Sequence, residues 1–241
     1  MSDYKKKLLK ALIIGKPNVG KSTLINFLVG EKVSIVSRKA QTTQKNTTGV
    51  VTKNDSQLIF FDTPGLNRVE KNVRISETFL AVAENVDVVI YMVDNRKKSQ
   101  SIDNQFITWL KKNDSSIKKK ILLVNKIDCI EKVKLFEITK KINEIIHFDE
   151  TFFISVTKES GTESFVKWID KQAYSNEWFF DENYKSNVGK KSFLSELTRE
   201  KIFEYIHEEI PYNLEIKTDY IEPSGKKSMK VYQTAWLNKK S

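Results

Sequence analysis

Eight residues near the start of the chain, Gly15-Lys16-Pro17-Asn18-Val19-Gly20-Lys21-Ser22, fit the pattern G-x-x-x-x-G-K-(S/T). Glycines at its first and sixth positions let successive backbone N–H groups turn inward as an anion nest, and a helix starting there adds its partial positive charge. Gly15, Asn18, Val19, Gly20 and Thr23 form the cradle, Lys21 reaches the β- and γ-phosphates, and the Ser22 hydroxyl is a ligand for Mg²⁺. Asp62-Thr63-Pro64-Gly65 supplies the acid on the metal side, with the Gly65 N–H free to follow a γ-phosphate. Between these two motifs lies the polar, threonine-rich stretch Ser37 to Asn46, which Mg²⁺ and a γ-phosphate can order. Thr43 is its expected hydroxyl ligand for the metal, with Thr42 as the alternative.

A phosphate-binding loop does not choose a base. Asn125-Lys126-Ile127-Asp128 does, because the Asp128 carboxylate can accept two hydrogen bonds from the N1–H and exocyclic amine of guanine. Adenine would leave that acceptor unpaired, at a large cost. The expected ligands are therefore GTP and GDP with Mg²⁺, and Ser155-Val156 is expected to complete the base site one strand later.

These motifs need a scaffold, and the apolar pattern describes one. Short runs rich in Ile, Val and Phe at 8–14, 58–61, 88–93, 121–124 and 152–154 suit strands buried on both faces of a parallel sheet. Segments of helical length alternate with them at 22–29, 73–85, 102–112, 131–146 and 162–173, which predicts βαβ units with helices on both faces. Residues 49–53 predict an edge strand beside 58–61. Ligands of such a sheet sit at the carboxyl ends of its strands, where Gly15, Asp62, Asn125 and Ser155 all fall.

Beyond residue 175 the pattern changes. Residues 176–190 are polar and turn-rich around the aromatic knot Trp178-Phe179-Phe180, and they read as a linker whose aromatics dock one part of the chain onto another. Ser192 is the expected N-cap of a helix with a broad apolar face that Pro211 stops. Two strand-like stretches follow, 212–221 and 228–237. The expected division is thus an α/β domain over 1–175, a linker over 176–190 and a small α+β unit over 191–241.

The composition narrows the class further. A hydrophobic content of 39% supports a packed core, and no run is long enough to span a membrane. The basic start and the apolar run after it lead straight into a glycine loop, which argues against a signal peptide. A single cysteine, Cys129, excludes a disulfide framework and CxxC sites and fits a reducing compartment. Residues 176–241 carry as many acidic as basic side chains, so the net charge of +10 lies wholly before them. Its runs at 5–7, 96–98, 111–112 and 118–120 read either as a solvated basic surface or as contact with a polyanion.

Taken together, the phosphate loop, Ser37-Arg38-Lys39-Ala40-Gln41-Thr42-Thr43, Asp62-Thr63-Pro64-Gly65-Leu66 and Asn125-Lys126-Ile127-Asp128 resemble the Era family within the TrmE-Era-EngA-like GTPases. The likeness runs on to Glu209-Ile210-Pro211-Tyr212, which resembles the entry to a KH domain. It implies a P-loop NTPase G domain followed by an incomplete type II KH-like segment. It also implies slow GTP hydrolysis, action in 30S assembly through 16S rRNA, a monomer, and a cytoplasmic protein with peripheral contact to the inner membrane. The resemblance assigns Lys21, Thr43, Gly65 and Asn18 to catalysis, with Asn18 helping to bind K⁺, and a backbone N–H of the Ser155-Val156 loop to guanine O6.

The departures from the family pattern are specific. Leu66 stands where Ras-like proteins carry a water-orienting glutamine, Val156 where alanine is usual and Gln44 where arginine is usual. After Gly189 the only glycine is Gly225, so the G-x-x-G loop that grips RNA in a KH domain is missing from this sequence. A shortened chain or a decayed gene is the expected reason. Two alternatives to the switch reading follow: a GTP-regulated RNA or ribosome-interaction module with negligible hydrolysis, and a decayed fragment that has lost RNA binding.

Overall fold

A computed structural model describes residues 5–34, 47–62, 77–94, 104–205, 214–224 and 228–237. The expectations for Thr42, Thr43, Gln44, Gly65, Leu66 and the 96–98 run fall outside these residues.

The first strand, β1 (Lys7–Ile14), is buried at every apolar position and forms the middle of the main sheet. It is followed by α1 (Lys21–Val29), β2 (Thr47–Lys53), β3 (Ser56–Asp62), α2 (Glu77–Ala83), β4 (Val88–Asp94), α3 (Asn104–Lys112), β5 (Lys119–Asn125), α4 (Lys132–Ile145), β6 (Glu150–Phe153), α5 (Thr162–Lys171) and β7 (Tyr174–Ser175). The strand order is β2-β3-β1-β4-β5-β6, parallel except for β2, which returns antiparallel along β3 through a turn with Asn54 in the left-handed region. Short β7 pairs antiparallel with the start of β1.

Two apolar layers sandwich the sheet. On one face Leu9, Ala11, Ile13, Phe60, Ile90 and Leu123 pack against α1 and α5. On the other, Leu12, Ile14, Val89, Tyr91, Leu122 and Val124 meet α2, α3 and α4. Near-continuous Val/Ile/Leu runs are needed because both faces are covered. Trp109 is buried in the second layer and Trp168 packs at the edge of the first.

The segment after β7 is anchored along the β2-β3 edge. Gln57, fully buried on β3, accepts hydrogen bonds on Oε1 from the Phe179 and Phe180 N–H groups (2.9 and 3.0 Å) and donates through Nε2 to the Phe180 carbonyl (2.9 Å). Phe180 stacks on Tyr184 at 4.3 Å, and both cover Leu8, Val50 and Ile59. Further on, the Val50 N–H donates to the Lys185 carbonyl and the Thr48 N–H to Asn187 Oδ1. The aromatic knot is therefore a docking device, while Phe179, 67% exposed, keeps its ring at the surface.

The last helix, α6 (Lys190–Tyr205), begins at a residue the sequence reading gave to the linker. Its first turn is closed by the Phe193 N–H on the Gly189 carbonyl, so Gly189 rather than Ser192 precedes the helix. Among its described side chains the buried ones are Ser195, Arg199 and Glu200, whereas Phe193, Leu194 and Leu197 are half-buried. Ser195 Oγ accepts from the Thr218 N–H at 2.8 Å, and Glu200 pairs with Lys32 at 2.6 Å. These contacts join α6 to the antiparallel pair β8 (Leu214–Pro223) and β9 (Met229–Leu237), and to the residues after α1. Trp236, on β9, is exposed.

Candidate nucleotide-binding site

Strand β1 ends at Ile14, and the chain turns at Gly15 and Gly20 before α1 starts at Lys21. Both glycines have left-handed φ, +150° and +111°. A Cβ on Gly15 would lie 2.2 Å from the Met92 carbonyl oxygen, and one on Gly20 2.3 Å from Asn125 Nδ2. The loop is thus wedged between β4 and the end of β5, with no room for side chains at either hinge. Lys21, buried, folds its ammonium back onto the carbonyls of Gly15 (2.9 Å) and Lys16 (3.2 Å). The N–H groups of the first turn of α1, which includes Ser22 and Thr23, point toward the same place.

Asp62 closes β3 beside this loop. Its Oδ2 accepts from the Ser22 hydroxyl at 2.7 Å, and its Oδ1 is buried with no hydrogen-bond partner. Burial pushes its pKa up, only partly opposed by the Lys21 charge and the Ser22 hydrogen bond. A buried carboxylate oxygen in want of a partner, next to a serine hydroxyl, is a donor set suited to a hard divalent cation. The residues present therefore fit Mg²⁺.

The base side is built on β5. Asn125 is 2% exposed and does not point at solvent: its Nδ2 donates to the Val19 carbonyl at 2.8 Å, and its Oδ1 accepts from the Val156 N–H at 3.2 Å. One side chain thus ties the phosphate loop to the loop after β6. Lys126 takes a left-handed φ of +63°, which sends its side chain back toward the phosphate loop, where the ammonium donates to the Asn18 carbonyl and to Asp94 Oδ2 (2.5 Å). Asn18 is itself left-handed, with φ +65°.

Asp128 lies exposed at the mouth, in the short 3₁₀ turn Ile127–Cys129. Hydrogen bonds from Ser155 and then Cys129 hold its carboxyl below the usual carboxylate range. Ser155 is fully buried, and reciprocal backbone bonds with Ser160 tighten its loop.

The structure therefore brings together Gly15, Asn18, Val19, Gly20, Lys21, Ser22, Asp62, Asn125, Lys126, Asp128, Ser155 and Val156, with Thr23 in the first turn of α1. Thr43 and Gly65 lie outside the described residues. In the Ser155-Val156 loop, where a backbone N–H is expected at guanine O6, the Val156 N–H donates to Asn125 Oδ1 and the Ser155 N–H to the Ser160 carbonyl. Two further groups at this end of the sheet escaped the sequence reading: the Met92 carbonyl that walls Gly15, and Asp94, which holds Lys126. Asp94 could have been found by the rule that located the others, since it ends a strand.

The family model for the 50S ribosome-binding GTPase matches residues 10–126. GTPase Era of Brucella suis biovar 1 is 32% identical over 95% of this chain and 73% of its own length. GTPase Era of Bradyrhizobium diazoefficiens is 34% identical over 95% and 74%. Among solved structures, Era in complex with MgGDPNP and nucleotides 1506–1542 of 16S ribosomal RNA superposes with a TM-score of 0.80 at 29% identity, over 97% of this chain and 80% of that one. A variant of Aquifex aeolicus Era bound to GDP and AlF4⁻ gives 0.77 at 31% identity, over 91% and 74%. With phosphate loop, base loop and both strand ends in one arrangement, and relatives of this similarity over nearly its whole length, the chain belongs to the Era family of GTPases.

Proposed function

We propose that the chain is a GTP-binding and GTP-hydrolysing switch that acts in assembly of the 30S ribosomal subunit through its 16S rRNA. The observation that carries the nucleotide part is Asn125, which locks the phosphate loop and the Ser155 loop into one unit with Asp128 at its mouth. The RNA part is supported by the solved Era complex that contains a 16S rRNA fragment.

In this reading Asp128 reads the guanine edge with Ser155 holding it, and Val156 borders the base. The N–H groups around Gly15 to Thr23 cradle the phosphates, and the Lys21 ammonium leaves the Gly15 and Lys16 carbonyls for the β- and γ-phosphates. Ser22, Asp62 and Thr43 would hold Mg²⁺, which when bound neutralises charge on the β- and γ-phosphate oxygens. The water oxygen forms a bond to the γ-phosphorus as the bond to the β–γ bridging oxygen breaks, leaving GDP and inorganic phosphate. Gly65 follows the γ-phosphate. Leu66 after it cannot orient the water, which falls to the backbone, another switch residue or a partner, so unaided turnover is slow.

K⁺ at Asn18, a monomeric chain, a cytoplasmic location and peripheral membrane contact rest on the family resemblance and belong to the same proposal. The division into a G domain over 1–175, a linker and a KH-like unit is part of it too, with the linker giving way to the KH-like unit where α6 starts at Lys190. Among the described residues no helix is long and apolar enough to cross a membrane.

Leu66 also favours a second reading, a GTP-regulated RNA or ribosome-interaction module that does not hydrolyse. Single-turnover GTP hydrolysis with and without 30S subunits decides between them. Turnover that 30S subunits accelerate supports the switch; tight GTP binding with no phosphate release in either condition supports the module.

A further inference from the structure

Asp94 closes β4 in register with Asn125 on β5, so the last rung of this strand pair carries one carboxylate and one amide side by side. The next residue, Lys126, is in the left-handed region, which a long side chain adopts only when its surroundings hold it there. Its ammonium is held twice, by the Asp94 carboxylate at 2.5 Å and by the Asn18 carbonyl. The ion pair is largely shielded, with side-chain exposures of 20% for Lys126 and 16% for Asp94. An exposed pair would contribute little. This one is shielded, and it is shared with a carbonyl of a second left-handed residue, so it fixes two backbone conformations at once.

From this geometry we propose that Asp94 is a positioning residue of the guanine site, which slows nucleotide release by clamping Lys126 onto the phosphate loop. The inference rests on the guanine reading of Asn125 to Asp128. Asp94 acts through Lys126: without the carboxylate the ammonium has one anchor instead of two, and the Lys126 stem and the Asn18 carbonyl lose their fixed relation. Asn125 holds the neighbouring Val19 carbonyl independently, so the loop stays formed while its grip loosens. Asp128 is held by other partners, Ser155 and Cys129, so reading of the guanine edge is untouched.

The test is a double-mutant cycle on the full chain, reading release of N-methylanthraniloyl-GDP by stopped flow for the wild type, D94A, K126A and D94A/K126A. The expected result is release about tenfold faster in D94A, the scale of one charge-assisted hydrogen bond. K126A should release at least as fast, and the double variant no faster than K126A. The ratio of GDP to IDP affinity, which reports the Asp128 contact to the exocyclic amine, should stay at the wild-type value in D94A. D94E should restore slow release in part, which a merely structural loss would not allow. Release unchanged in D94A, effects that add in the double variant, or a changed GDP to IDP ratio would each overturn the proposal. If D94A does not fold, D94N takes its place in the cycle with the same expectations. Failure of the wild type to bind GDP would instead overturn the guanine reading.

Discussion

Removing the Asn125 side chain tests the junction between phosphate and base loops. In Asn125→Ala the Val19 carbonyl loses its donor at 2.8 Å and the Val156 N–H its acceptor at 3.2 Å, in a place where Asn125 itself is 2% exposed. Leaving a buried polar group unsatisfied costs about 1–3 kcal/mol. The Val156 bond is long, so it belongs at the lower end, and the two together come to about 3 kcal/mol. Part of this falls on the free protein and part on the complex, because nucleotide binding needs both loops held in register. Urea unfolding of the nucleotide-free protein should show a stability loss of about 1–2 kcal/mol, and fluorescence titration a GDP affinity at least ~10-fold weaker. Asn125→Asp keeps the shape but puts a carboxylate against the Val19 carbonyl, so it should be no better than the alanine variant. Stability and GDP affinity both at wild-type values in Asn125→Ala would refute the idea that this side chain joins the loops.

Other perturbations follow from the same geometry. Gly20→Ala places a Cβ 2.3 Å from Asn125 Nδ2 at a φ of +111°, so GDP binding should fall below detection in calorimetry while circular dichroism stays folded. Gln57→Leu leaves the Phe179 and Phe180 N–H groups and the Phe180 carbonyl without Gln57, and should cost about 2–4 kcal/mol with faster amide exchange confined to residues 178–187. Because Ser155 and Cys129 lower the Asp128 pKa, its charged form persists above that depressed value and is lost only as pH falls through it. The Asp128 contribution to GDP affinity should therefore stay flat from pH 8 to about pH 5, measured as the wild-type to Asp128→Ala affinity ratio.

The phosphate and base motifs were legible in the sequence because each makes a demand that few residues meet. Gly15 and Gly20 turn where a Cβ would strike Met92 or Asn125, and a carboxylate such as Asp128 can accept both hydrogen bonds that a guanine edge donates. The sheet was legible because strands buried on both faces must be apolar throughout. What escaped depends on neighbours far along the chain. Asp94 matters because β4 and β5 end side by side, and Gln57 because residues 179–180 return to it. In the described part of α6, Ser195 and Glu200 are buried because Thr218 and Lys32 supply polar partners there. Within the basic runs, Lys7 pairs with Asp55, Lys118 with Asp87 and Lys120 with Asp114, pairings that a charge count cannot locate.

The reading of the site as a guanine nucleotide site turns on one carboxylate, and exchanging its hydrogen-bonding character tests it most directly. Asp128→Asn replaces an acceptor oxygen with an N–H donor, which suits the C2 carbonyl of xanthine and not the C2 amine of guanine. Equilibrium titration of wild type and Asp128→Asn with GDP and XDP should show the wild type preferring GDP by at least ~100-fold and the variant reversing that preference. A GDP to XDP ratio that the substitution leaves unchanged would contradict the assignment of Asp128 to the base.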